Sequence, residues 1–187
     1  MPVYAIEGPP CSGKSTLLAK IAQMRPDIVT IPEPIETWAD TLRAIDSNTD
    51  GARLALQSLV VQHYVAVAKR ISALDPATIV LLERSPRSMR VFTLLHKQHD
   101  LSRAAAYDFV VSGCPDFIID GYFELVIDPE AAAVLAAGRQ QCGDKHWTAD
   151  ALRTYGAVFE AVFEGIPRTP LRPTQDLAQT IVRAVAR

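Results

Sequence analysis

Cysteine is scarce in this 187-residue chain, with only Cys11, Cys114 and Cys142 present. These are too few and too far apart for a disulfide framework or a zinc site, which fits a reducing compartment. A basic excess is missing too. The net charge is −2 and the isoelectric point near 6.1, which excludes an extended nucleic-acid footprint and leaves any phosphate binding local. No apolar run reaches the length of a membrane span, and the N-terminus enters strand-like sequence almost at once. A soluble, cytoplasmic protein without membrane association is therefore expected. There is no internal repeat and no low-complexity tract, and neither Asp-x-x-Gly nor Asn-Lys-x-Asp occurs, which argues against a nucleotide-dependent switch ATPase or GTPase. What is present, 49% hydrophobic and 21% charged residues, suits one domain over 1–187 with a filled core.

The chain is organised around Gly8-Pro9-Pro10-Cys11-Ser12-Gly13-Lys14-Ser15-Thr16, which follows the strand-like Val3–Ile6 and precedes the helix-like Leu17–Ala22. This is G-x-x-x-x-G-K-S in the strand-to-helix context that the motif requires. Glycine lets the backbone curl until successive N–H groups face phosphate oxygens, and the following helix N-terminus adds positive potential. An ATP or GTP site over residues 8–16 follows, with Lys14 on the β- and γ-phosphates and Ser15 on Mg²⁺. Positive potential there could lower the Cys11 thiol pKa, although the residue reads more simply as loop filler.

Hydrophobic runs that end at turn or proline signals place strands at 27–31, 78–82 and 167–171. A fourth falls within 117–127, at 123–127 with 117–119 competing. Helices are expected at 36–46, 52–74, 86–96, 102–111, 128–137, 148–163 and 174–187, the last capped by Thr174, with a polar, mobile loop at 138–145. Strands alternating with helices make an α/β fold, an open parallel sheet of about five strands with helices on both faces and ligands beyond the strands' carboxyl ends.

Glu33, between Pro32 and Pro34, lies just past the second strand, and Glu83-Arg84 just past the third. Phosphoryl transfer needs such parts: a metal to bridge phosphates, cations against developing charge and a base for the acceptor hydroxyl. Glu83 would serve Mg²⁺ and Arg84 the charge. The plainer alternatives are a surface ion pair for Glu83-Arg84 and a loop carboxylate for Glu33. His96 and His99 read as solvent-facing, and His63 as packing or surface.

Glu33-Pro34-Ile35-Glu36-Thr37-Trp38 is similar to the E-P-V-x-x-W segment of the deoxynucleoside kinase family, which includes cellular enzymes and thymidine kinases of large DNA viruses. Ile6-Glu7-Gly8, Leu56-Gln57-Ser58 and Glu83-Arg84-Ser85 resemble that family's segments in the same order, over about residues 3–145. The resemblance implies a P-loop kinase fold and transfer of the ATP γ-phosphoryl group, with Mg²⁺, to a deoxynucleoside 5′-hydroxyl. It implies Glu33 as general base, Glu83 assisting Mg²⁺, and Arg84 steadying Glu33 and the reacting oxygens. Gln57 would read the base through its amide, which offers both donor and acceptor, and Trp38 would wall the base pocket or simply pack in the core. A lid at about 138–147 would bring Arg139 over the phosphates and Asp144 to the sugar 3′-hydroxyl. A homodimer through the helix at 52–74 is also implied.

Departures from the family pattern carry information. The lid has only Arg139 and Lys145 as cations, so its clamp is weaker or is supplemented by Arg87 or Arg90. Asp46 stands in the neighbourhood where the family often has a sugar-binding tyrosine. Tyr64 and Met89 stand where members that take deoxycytidine or purines have Arg and Asp, which leans toward thymidine or another pyrimidine. The rival reading is a deoxynucleoside monophosphate kinase of the thymidylate type. There an arginine precedes the equivalent glutamate; Pro32 stands here, and Trp38 follows. Arg43, Arg87 or Arg90 would have to meet an acceptor phosphate.

Overall fold

The computed structural model describes residues 1–139, 141, 143–172 and 176–186. Strands β1 (Val3–Glu7), β2 (Val29–Ile31), β3 (Val80–Glu83), β4 (Gly121–Leu125) and β5 (Arg168–Leu171) form a sheet ordered β2-β3-β1-β4-β5, parallel throughout. The α/β architecture read from the sequence is the one observed. Side chains alternate along each strand, so the sheet carries two apolar faces. Ile6, Leu81, Phe123 and Leu171 meet Leu18 and Ile21 of α1 (Lys14–Met24) and Ile181 of α8 (Leu177–Val185). Val3, Ala5, Val80 and Leu82 meet Val67 and Ile71 of α3 (Ala52–Ser72). A third cluster joins Val91 and Leu95 of α4 (Pro86–His99) to Tyr155 and Phe159 of α7 (Ala149–Val162).

Several boundaries differ from expectation for local reasons. The helix at 36–46 begins as a 3₁₀ turn, Ile35–Trp38, before α2 (Ala39–Asp46), because Thr37 N bonds back to Pro34 O in a tighter spacing than an α-helix allows. A similar 3₁₀ turn, Leu101–Arg103, precedes α5 (Ala104–Ser112). The fourth strand starts earlier, since Asp120 bonds Val3 through both its N–H and its carboxylate and brings Gly121 opposite Tyr4. Phe117 and Ile119 are not strand; they pack against the α3 face. Helix α6 (Pro129–Arg139) runs through Gly138, and Asp144–His146 is a 3₁₀ turn, so among the described residues the loop expected at 138–145 is confined to Gln141 and Gly143. Gln140, Cys142 and Thr174 lie outside the described residues. The last helix is capped by Asp176, whose side chain accepts from Gln179 N. Among the described residues, no helix is long and apolar enough to cross a membrane.

Candidate active site

The carboxyl ends of β1, β2 and β3 deliver residues 8–16, Glu33 and Glu83-Arg84 to one edge of the sheet. There a cavity of about 960 Å³ is lined by Lys14, Ser15, Glu33, Glu83, Arg84 and Gln57, among others. This is where ligands bind in open α/β sheets.

The phosphate loop turns on unusual backbone. Gly8 has φ +137° and Gly13 +88°, and Cys11 is held at +64° although it is not glycine. A Cβ on Gly8 would lie 2.8 Å from Leu125 O. Gly8→Ala is therefore expected to displace the loop, lowering stability by about 1–3 kcal/mol and weakening nucleotide binding, as thermal melting with and without nucleotide would show. Pro10, Cys11, Gly13, Lys14, Ser15 and Thr16 line the cavity, while Gly8, Pro9 and Ser12 act from behind. Lys14 Nζ donates to Pro9 O at 2.7 Å and to Ser12 Oγ at 3.3 Å. Burial and the nearby Arg84 guanidinium pull the Lys14 pKa down to about 7, and bound phosphate would oppose that pull.

Ser15 Oγ donates to Glu83 Oε1 at 2.6 Å, and Glu83 Oε2 accepts from Glu33 N at 3.2 Å. One carboxylate thus ties the phosphate loop to the turn after β2. Arg84 turns back on itself at φ +64°. Its guanidinium donates to Glu33 Oε2 at 3.1 Å, Gly8 O at 2.9 Å and Tyr155 OH at 3.1 Å, and lies 5.0 Å from the Phe92 ring centroid. Glu83 and Arg84 are therefore not a surface ion pair, each being 4% exposed; Arg84 pairs with Glu33, whose side chain is 14% exposed. Burial raises the Glu33 pKa against the opposing pull of Arg84, with Glu83 adding to the rise, which makes it a stronger base than a free carboxylate.

Gln57, Trp38, Tyr64 and Met89 all line the same cavity. Trp38 packs edge-on to His63 at 5.8 Å, so it serves both core and wall. The Tyr64 hydroxyl donates to Ser85 O at 2.7 Å, which leaves the ring to contribute shape. Arg139 grips Asp144 with two hydrogen bonds, 2.8 and 2.7 Å, and donates to Cys11 Sγ at 3.3 Å. Asp144 thus rests against the phosphate loop. The Cys11 thiol does more than fill space, and burial pushes its pKa up, opposite to the expectation from loop potential. Asp46 Oδ2 accepts from Gly143 N at 2.9 Å. Its other oxygen lies 3.2 Å from His146 Nε2, out of line for a hydrogen bond. Arg87 and Arg90 line a separate cavity of about 440 Å³ and do not supplement the clamp.

Some participants escaped the sequence reading. Glu7, fully buried, accepts from Ser85 N (2.8 Å), Ser85 Oγ (2.6 Å) and Ser88 Oγ, pinning the turn that carries Arg84. Tyr155, on α7, holds Arg84 from across the fold and donates to Gly8 O at 3.1 Å; no local signal marks it. His96 was expected in solvent, yet it lines the cavity and bonds Gln57. The 89, 93, 96 spacing places Met89, Thr93 and His96 on one face of α4, a signal the sequence did contain.

Burial pulls the His96 pKa down to about 3, with Arg53 and His99 pushing the same way. Between this value and the ordinary one near 6.5, the unfolded chain binds the extra proton, so stability is full above about pH 6.5 and falls as pH drops. From pH 7 to 5.5 the chain should lose about 2–4 °C more Tm than a His96→Asn variant; equal losses would mean that His96 titrates normally.

The family model described as deoxynucleoside kinase matches residues 4–112. Among solved structures, deoxyadenosine kinase from M. mycoides, with products dCMP and a flexible dCDP bound, aligns with a TM-score of 0.79 at 15% identity, over 98% of this chain and 96% of that one. The fold is thus the P-loop kinase α/β fold. No curated protein matches the chain by sequence.

Proposed function

The chain belongs to the deoxynucleoside kinase family, and from that premise we propose that it transfers the ATP γ-phosphoryl group, with Mg²⁺, to the 5′-hydroxyl of a pyrimidine deoxynucleoside such as thymidine. One observation carries the reading: Arg84 joins Glu33 and the Gly8 carbonyl of the phosphate loop through a single guanidinium, so base and phosphate cradle share one rigid link.

In this reading Glu33 takes the proton of the 5′-hydroxyl, and Arg84 keeps its carboxylate aimed while facing charge that develops on the transferring group. The loop amides and Lys14 hold the donor phosphates. Ser15 Oγ and Glu83 Oε1, 2.6 Å apart, are hard oxygen donors suited to Mg²⁺. Ser15 and Glu83 would hold the ion, which would supply positive charge against the donor phosphates. Gln57 offers the base a donor and an acceptor, Trp38 a wall, Arg139 a cover over the phosphates and Asp144 an acceptor for the sugar 3′-hydroxyl.

Support for a nucleoside acceptor comes from the placement of Arg43, Arg87 and Arg90, which leaves Arg53 of the cavity lining as the arginine an acceptor phosphate would have to use. Arg43 pairs with Asp40 on the surface, and neither it, Arg87 nor Arg90 lines the main cavity. Support for thymidine, whose base has no exocyclic amino group, comes from Tyr64 and Met89, uncharged, buried and cavity-lining: an exocyclic amino group would find no charged partner on them. A purine is the second reading, favoured by the deoxyadenosine kinase name of the structural neighbour. A cytoplasmic setting and a homodimer through α3 complete the proposal, and sedimentation of the purified chain would decide the dimer.

The test is nucleotide consumption with Mg²⁺ against separate panels of deoxynucleosides, ribonucleosides and 5′-monophosphates. Turnover highest on thymidine is expected; highest turnover on deoxycytidine would keep a pyrimidine acceptor but remove the argument from Tyr64 and Met89. Highest turnover on deoxyadenosine would establish the purine reading, and turnover on monophosphates alone would overturn the nucleoside acceptor.

A further inference from the structure

Gln57 is almost wholly buried, and both ends of its amide already hold a partner from one helix face. Thr93 Oγ1 donates to Gln57 Oε1 at 3.3 Å, and Gln57 Nε2 lies 3.0 Å from His96 Nδ1. Gln57 and His96 line the cavity, whereas Thr93 is buried behind it. An amide has two N–H donors and two acceptor lone pairs. After these bonds one N–H and one lone pair remain. We propose that His96 and Thr93 form a positioning clamp that fixes the plane and direction of the Gln57 amide, and so sets which way the nucleobase edge must present its own acceptor and donor.

The clamp rests on the reading of Gln57 as the base-recognising residue. It works because each partner constrains a different atom. The Thr93 hydroxyl, donating, selects the oxygen end. A neutral imidazole that carries its proton on Nε2 presents Nδ1 as an acceptor, the tautomer that matches an amide nitrogen at 3.0 Å. A free amide would interconvert between two opposite faces at little cost. Here a flip would require the Thr93 hydroxyl to turn from donor to acceptor and the imidazole proton to move to Nδ1, so the opposite face is reached only through two coupled changes. Neither His96 nor Thr93 need touch the reacting atoms, so the effect belongs in nucleoside binding and not in the chemical step.

Steady-state kinetics with nucleoside and ATP varied separately tests this. His96→Leu is expected to raise the nucleoside KM about tenfold, with kcat within about threefold and ATP KM unchanged. His96→Asn, which restores a polar atom near the Nδ1 position, should return the KM to within about threefold of wild type. Thr93→Val, nearly isosteric, should raise the same KM and carries the test should His96→Leu fail to fold. In a Gln57→Ala background, His96→Leu should add less than about twofold, since the clamp would have nothing to hold. An unchanged nucleoside KM in both His96→Leu and Thr93→Val would overturn the clamp. So would an equal rise in ATP KM, an absence of rescue by His96→Asn, or a full His96→Leu effect in the Gln57→Ala background. If Gln57→Ala alone leaves the nucleoside KM unchanged, the base-reading role itself falls, a failure distinct from any of these.

Discussion

Glu33→Gln is expected to lower kcat by about 10²–10⁴-fold, the usual weight of a general base, while ATP KM stays within about twofold. The substitution keeps the size of the side chain and an oxygen that can accept from Arg84, so the link from Glu33 to the phosphate loop survives. What disappears is the capacity to take a proton. Glu33 is suited to that task because burial raises its pKa, with Arg84 opposing the rise. Lys14, Ser15 and Glu83, which would meet the donor nucleotide and Mg²⁺, remain in place. Measured kcat and KM for both substrates separate the outcomes: a fall in kcat alone identifies the base, whereas matched losses in kcat and ATP affinity would make Glu33 a structural residue.

The second large effect is on stability. Arg84→Met is expected to destabilise the fold by about 3–5 kcal/mol, because it strands a buried carboxylate. The Arg84 side chain is 4% exposed and that of Glu33 14%, so water does little for either alone. Gly8 O would also lose a donor, and the Tyr155 hydroxyl a partner. Adding Glu33→Gln to Arg84→Met should recover part of the loss, since the uncompensated charge is then gone. Denaturant unfolding of the two single variants and the double variant reads this as a coupling energy. Strict additivity would show that the pair does not interact. Little activity should return in the double variant, which still lacks the base.

Much of the frame was legible because local signals and fold agreed. The loop Gly8–Thr16 lies between a strand and a helix as its spacing demands, and the apolar run before Glu83 is buried on both faces in β3. The proline pair around Glu33 ended the second strand where the carboxylate was needed. Elsewhere the decisive contacts cross long stretches of chain, and no window of sequence holds them. Tyr155 meets Arg84 from 71 residues away, and Glu7 meets Ser88 across 81. The spacing groups His96 with Met89 and Thr93 on one face of α4, yet spacing alone does not say what that face meets. Only the packing of α3 against α4 turned it toward Gln57. The fourth strand was displaced for a similar reason: the register with β1 is set by Asp120 on Val3, not by where the apolar residues are densest.

The most direct test of the account is to identify the product made from thymidine, ATP and Mg²⁺ by phosphorus NMR and mass spectrometry, with Glu33→Gln as the parallel reaction. The account predicts thymidine 5′-monophosphate and ADP in equal amounts, with both falling together in the variant. ADP formed without a phosphorylated nucleoside, or undiminished in Glu33→Gln, would contradict it.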